Sequence, residues 1–206
     1  FNIKCGSRSS NPFSIASKLH LNGEEVTNLV IPEGVTQINQ GFLYNFGRNV
    51  TSVTIPSSVK VGNCAFQNWS KLASISVERL GNNAFEGCSA LTSITLGSSV
   101  DTINAGAFRN CSGLESVVIP NTVKVIENRA FEGCTKLSSI TLGNAIDSIG
   151  EAAFEGCDSL KRVDVTNLDT WYAINFANQS ANPLTIAKHL YYNGEEVVGL
   201  TIPEGI

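Results

Sequence analysis

Side chains capable of covalent or acid–base chemistry are sparse: six cysteines, two histidines and 18 carboxylates in 206 residues. Cys88, Cys111, Cys134 and Cys157 recur every 23 residues. Zinc ligands, in contrast, come in close pairs about two to four residues apart. A disulfide between successive copies is geometrically open, because strands about 4.8 Å apart fall within the Cα separation a disulfide tolerates. Yet Trp69 fills the same slot one unit earlier, which marks the slot as a packing position and the thiols as small buried hydrophobes. Cys5 and Cys64 lie outside the series, and nothing in the sequence pairs them. Nucleophilic catalysis needs a base held against a serine or cysteine, and neither His20 nor His189 has a recognisable orienting partner. Glu86, Glu132 and Glu155 each follow a phenylalanine, with Arg109 interrupting the series. They read as solvated turn charges rather than the paired acids in a cleft that glycoside hydrolysis requires. Four Asn-x-Ser/Thr sequons, at Asn49, Asn68, Asn110 and Asn178, are what chance gives in so Ser- and Asn-rich a chain. No catalytic residue, metal ligand or cofactor is assigned.

Composition narrows the partners. Net charge is −4 and 16% of residues are charged, below the roughly 25% usual in soluble domains. Polarity comes instead from 22 Ser, 14 Thr and 21 Asn. A mildly acidic chain without Lys/Arg clusters lacks the electrostatic footprint that nucleic acid or an anionic membrane demands. No apolar run is long enough to cross a bilayer as a helix. The chain contains no Met and shows no signal-peptide pattern at Phe1, so it reads as a piece of a longer protein whose targeting segment lies elsewhere.

The elements that must carry these residues follow from a repeat. Ala84-Phe85, Ala107-Phe108, Ala130-Phe131 and Ala153-Phe154 recur at the same 23-residue interval as the cysteines. Each Phe is followed by Cys at +3, Leu at +6, a β-branched residue at +9 (Ile94, Val117, Ile140, Val163) and an apolar one at +11 (Leu96, Ile119, Leu142, Val165). Val100 and Ile103, Val123 and Ile126, and Ile146 and Ile149 complete the period. Phe66 begins a unit of only 19 residues, and Phe42 begins one stretched by an insertion around Tyr44 to Gly47. Alternation at +8 to +11 predicts a short strand with one face inward, ended by Gly or Pro. The Ala-Phe-x-x-Cys piece predicts a short helical or 3₁₀ turn. A single unit cannot bury its own apolar face, so units must stack, with their strands adjacent and parallel.

The pattern Ala-Phe-x-x-Cys-x-x-Leu-x-x-Ile-x-Ile/Leu, with its Pro-x-x-Val-x-x-Ile approach, resembles the BspA-type leucine-rich repeat of bacterial surface proteins. Four near-perfect copies between Phe85 and Val165 carry the likeness, and looser ones at 29–77 extend it. It implies a right-handed leucine-rich-repeat solenoid, α/β but β-rich, and a non-enzymatic adhesion or protein-interaction module at the cell surface or outside the cell. It further implies host or neighbouring-cell surface or matrix proteins, or glycans, as partners. A passive stalk that displays other domains is the alternative, and a glycan-binding accessory of an enzyme a weaker one.

A longer period overlies the short one. Residues 1–35 align without a gap on 172–206, with 17 identities that include Asn22-Gly23-Glu24-Glu25-Val26 against Asn193-Gly194-Glu195-Glu196-Val197. Blocks of coils thus alternate with an insert, dividing the chain into 1–27 (partial insert), 28–165 (coils), 166–197 (second insert) and 198–206 (start of the next block). Within the insert, Thr170 to Phe176 and Pro183 to Leu190 have helical spacing, Pro183 being well placed at a helix start. Asn193-Gly194 predicts a type I′ hairpin, after which Leu200 to Ile202 rejoins the sheet.

The strands' outward positions are the candidate binding face: Ser52/Thr54, Ser74/Ser76, Ser93/Thr95, Ser116/Val118, Ser139/Thr141 and Arg162/Asp164. Parallel sheets are usually covered on both faces and then read as continuous apolar runs. This one is polar on one side, so that side meets water or a partner.

Overall fold

The computed structural model describes residues 20–21, 24–41, 43 and 47–198. Alternation along each unit places one strand per coil in a first column, numbered in chain order with the rest. These strands are β3 (Asn28–Val30), β5 (Ser52–Thr54), β7 (Ser74–Val77), β8 (Ser93–Leu96), β10 (Ser116–Val118), β12 (Ser139–Leu142), β14 (Arg162–Val165) and β16 (Leu190–Tyr192). Neighbours pair in parallel and in the repeat's own register: Ser74↔Ser93, Ile75↔Ile94, then Ser116↔Ser139↔Arg162. The ladder divides into β3-β5-β7-β8 and β10-β12-β14-β16. Ile94, expected inward at this division, is only half-buried.

A second column holds β4 (Gln37–Ile38), β6 (Lys60–Val61), β9 (Thr102–Ile103), β11 (Val125–Ile126), β13 (Ser148–Ile149) and β15 (Asn175–Phe176). Between the columns runs the spine. Phe66, Phe85, Phe108, Phe131 and Phe154 are fully buried, their rings stacked at centroid separations of 5.3, 5.6, 5.5 and 5.6 Å. Stacking coils therefore buries in common what no coil buries alone.

The phenylalanine segment is a run of i→i+3 turns rather than a continuous 3₁₀ helix. Cys88 N–H donates to Phe85 O at 3.2 Å and Leu91 N–H to Cys88 O at 3.0 Å. Alternate amides reach the next coil instead, Phe85 N–H to Ala107 O at 2.9 Å and Gly87 N–H to Arg109 O at 2.8 Å. The cause is a pair of positive-φ residues two before and two after each Phe: Asn83 and Gly87, Gly106 and Asn110, Arg129 and Gly133, Ala152 and Gly156. Such residues interrupt right-handed helix propagation and swing successive amides toward the neighbouring coil.

The insert is helical for less of its length than its spacing predicts. Helix α1 (Leu168–Ala173) starts at Asn167, whose side chain accepts Thr170 N–H at 3.1 Å, and ends at Ile174. Asn175 and Phe176 are then strand, paired with Ser148 and Ile149, because the second column offers them a ladder. Pro183, with φ −63°, opens α2 (Leu184–Ala187) as expected, and Lys188 at φ 65° ends it. The hairpin forms: Asn193 and Gly194 both have positive φ, and β17 (Glu195–Glu196) pairs antiparallel with β16. The 171-residue offset carries the same register to β1 (His20–Leu21) and β2 (Glu24–Glu25), with His20↔Glu25 matching Tyr191↔Glu196. The hairpin does more than separate blocks, since β16 pairs with β14 as the next rung (Val163↔Leu190). Cys5 and the strand expected at Leu200 to Ile202 lie outside the described residues.

Candidate binding face

Strand alternation turns the six sequence-assigned pairs outward together. Ser52, Thr54, Ser74, Ser76, Ser93, Thr95, Ser116 and Val118 are exposed, while Ser139, Thr141, Arg162 and Asp164 are half-buried. Two rungs missed in the sequence extend the row. Asn28 and Val30 align with Ser52 and Thr54, and Ser52 Oγ donates to Asn28 Oδ1 at 2.7 Å. At the far end Tyr191 aligns with Asp164. Tyr191 lies in the strand that leads into the Asn193-Gly194 turn, so its sequence signal is that of a hairpin and not of a solenoid rung. Val30 and Val118, each 63% exposed, are the large apolar residues on the row.

The charged rung is closed on itself. Arg162 Nε donates to Asp164 Oδ2 at 2.7 Å and its terminal nitrogen to Oδ1 at 2.6 Å. The guanidinium lies 3.8 Å over the Tyr191 ring, a cation–π placement. Asp164 raises the guanidinium's already high pKa. The row thus presents hydroxyls, two valines and one internally neutralised pair. Its chemistry is hydrogen bonding and shape, with little net field.

The cysteine ladder is more than packing. Cys88, Cys111, Cys134 and Cys157 are free and fully buried. Each thiol donates to the carbonyl of the preceding coil's phenylalanine (Phe66, Phe85, Phe108 and Phe131) at 3.3, 3.2, 3.2 and 3.2 Å. Trp69 does the same work in its slot, its indole N–H donating to Leu43 O at 2.8 Å. Burial pushes the Cys88 thiol up to about 12. Cys111 is driven up by burial, and Cys134 first by its hydrogen bond with Cys157 and then by burial. A thiol held protonated is a poor nucleophile and a poor metal ligand.

The other reactive groups stay apart. Glu86 and Glu132 flank Arg109, with Arg109 Nε 3.1 Å from Glu132 Oε2 and another guanidinium nitrogen 3.7 Å from Glu86 Oε1. Gln67 donates to Glu86 at 2.5 Å, so stacked coils turn what read as separate solvated charges into one ladder. His189 does have a partner that sequence reasoning missed: its Nδ1 lies 2.5 Å from Glu196 Oε1. The seven-residue separation becomes a contact because the hairpin folds back. Among the described residues no group of three or more His, Cys, Asp or Glu is placed to hold a metal ion. No helix among them is long and apolar enough to cross a membrane.

Parallel coils around a stacked aromatic spine, with one strand column facing outward, define a parallel-strand repeat solenoid. A family model for the BspA type leucine rich repeat region matches residues 8–80 and 78–198, with six copies, and the chain belongs to that family. Solved structures agree on the fold. A leucine rich cell surface protein from Faecalibacterium prausnitzii superposes with a TM-score of 0.57 at 21% identity, over 76% of this chain and 64% of that one. A leucine-rich repeat protein from Eubacterium ventriosum gives 0.62 at 25% identity, over 75% and 44%. The T. pallidum leucine rich repeat protein gives 0.51 at 25%, over 67% and 58%. The chain therefore spans less than two-thirds of the length of each. No curated protein matches the chain.

Proposed function

We propose that the chain is a non-enzymatic interaction module of a bacterial cell-surface or secreted protein, and that the first strand column is its docking platform. One observation carries this reading: a parallel sheet leaves a row of small hydroxyl side chains in register and uncovered, where such sheets are ordinarily covered on both faces. Membership of a repeat family and the cell-surface description of the Faecalibacterium protein support it. The near-neutral row suits a protein or glycan recognised through hydrogen bonds and shape. Fold alone does not name that partner.

The test is a screen of immobilised chain against matrix proteins and glycans, repeated with the variant Ser93→Lys, Thr95→Lys, Ser139→Lys and Thr141→Lys. The expected result is binding by the parent chain that the variant loses at nearly unchanged melting temperature. Binding retained by the variant moves the site off this face. Binding by neither makes the chain a passive spacer.

A further inference from the structure

The hydroxyl row changes character along its length. At its far end four strands lie side by side, and Thr141, Asp164, Tyr191 and Glu196 align across β12, β14, β16 and β17. Residues paired across strands share a face, so these four form one outward line. Ser139 and Arg162 align likewise two residues earlier along β12 and β14, and His189, just before β16, reaches Glu196. The hydroxyls of the earlier rungs are exposed, whereas Ser139, Thr141, Arg162, Asp164 and Tyr191 are all half-buried. Side chains already held in place lose less freedom when a ligand binds.

The way they are held selects the ligand. Arg162 donates to Asp164 twice, at 2.7 and 2.6 Å, with the Tyr191 ring against the guanidinium. A carboxylate or phosphate would have to displace Asp164, and an ammonium would have to displace Arg162. Each would trade one charge-assisted pair for another with little gain. Glu196 Oε1 is likewise engaged by His189 Nδ1 at 2.5 Å. A neutral ligand displaces nothing. The remaining guanidinium N–H groups point away from Asp164 in a fixed fork, and the carboxylate keeps unused lone pairs. The two side chains are 41% and 22% exposed, so both can be reached. Donor and acceptor therefore sit side by side at the surface, and a hydroxyl is the neutral group that serves either. A peptide laid across a sheet's face turns its side chains, not its amides, toward the sheet. A sugar ring instead offers neighbouring hydroxyls on a rigid frame.

We propose that this end of the row is a glycan-binding site for a neutral hexopyranose, anchored by the Arg162–Asp164 pair. One ring hydroxyl donates to Asp164, and its neighbour accepts from Arg162. Tyr191 is a positioning residue that holds the guanidinium flat, and Thr141 and Glu196 flank the pair within the same line. The proposal rests on the reading of this face as a docking platform and names its ligand class.

The test titrates the isotope-labelled chain with methyl α-mannopyranoside, methyl β-galactopyranoside and methyl β-glucopyranoside, following backbone amide and Arg162 Nε–H resonances. At least one sugar should shift Arg162, Asp164, Tyr191 and Glu196 but not Ser52 or Ser74, with a dissociation constant of about 1–10 mM. Arg162→Leu with Asp164→Leu removes the pair without leaving either charge alone, and binding should fall at least about tenfold. Asp164→Asn keeps the shape but frees the guanidinium: acetate should shift Arg162 Nε–H in that variant and not in the parent chain. Absence of shifts with all three sugars at about 100 mM, unchanged binding in the double Leu variant, or acetate shifts at Arg162 in the parent chain would overturn the proposal. The two readings fail separately. If the sugars fail while the matrix screen yields a protein that the four-lysine variant loses, the face remains a docking platform and the glycan alone is withdrawn.

Discussion

The coil starting at Phe66 and the coil starting at Phe85 are neighbours built to different lengths, and what they share separates essential parts from optional ones. Both keep the spine: Phe66 stacks on Phe85 at 5.3 Å, and Phe85 on Phe108 at 5.6 Å. Both keep the first strand column, joined through Ser74↔Ser93 to Val77↔Leu96. The shorter coil gives up its second-column strand and replaces the buried Ile103 with Leu80 on a chord. The solenoid is thus anchored on one column and the aromatic stack, while the other column tolerates deletion.

The severest test of that contrast is to remove a ring from each coil. Phe131→Ala in the regular stretch should cost about 3–5 kcal/mol, as for other buried aromatics. Phe66→Ala should cost the same to within about 1 kcal/mol, since its ring is equally buried and also meets Trp69 edge-on at 4.8 Å. Urea denaturation of both variants decides it. A cheap Phe66→Ala would mean that the short coil leans on its neighbours without contributing to the spine.

A smaller effect separates the regular coils, with thiols in the donor slot, from the Phe66 coil, with Trp69 there. A thiol whose folded pKa lies above its unfolded value gives no pH dependence while both states are protonated. Above about pH 9 the unfolded chain ionises first and binds fewer protons than the folded chain, so stability falls as pH rises. For Cys88 the fall continues to about pH 12. Urea midpoints measured across this range should decline, and Cys88→Ala should remove part of the decline, about 1 kcal/mol per pH unit. Trp69→Phe, which deletes a non-titrating donor, should lower stability equally at every pH. A pH-independent cost for Cys88→Ala would show that the thiol is not held protonated by burial.

Why some of this was legible and some not follows from what repeats. Phe, Cys and Leu recur as identities because each fills a fixed buried volume, so the spine and the first column could be read directly, as could the hydroxyl row that alternation places opposite. The positive-φ pairs repeat only as a backbone state, occupied by Asn83, Gly106, Arg129 and Ala152 in turn, and four different residue types conceal a common requirement. β15 was hidden because Thr170 to Phe176 has helical spacing, and the ladder offered by Ser148 and Ile149 lies 27 residues back in sequence and meets Asn175 and Phe176 only once the coils stack. The thiols' donor role was equally invisible, since its acceptors belong to the preceding coil.

The gentlest prediction compares residues at one backbone state across coils. Arg129, φ 60°, and Ala152, φ 56°, sit where an L side chain is disfavoured, whereas Asn83, φ 53°, is of a type that tolerates the region. Relief of that strain is about 1–2 kcal/mol, against which glycine loosens the unfolded chain by about 0.4–1 kcal/mol. Arg129→Gly should therefore gain about 0.5–1 kcal/mol, because its 3.8 Å contact with Glu132 is largely exposed and worth little. Ala152→Gly should gain less, since the methyl it deletes is buried and such a group contributes about 0.8 kcal/mol. Asn83→Gly should be neutral or slightly destabilising. Melting temperatures of the three variants rank them, and a destabilised Arg129→Gly would mean that the turn run does not demand positive φ there.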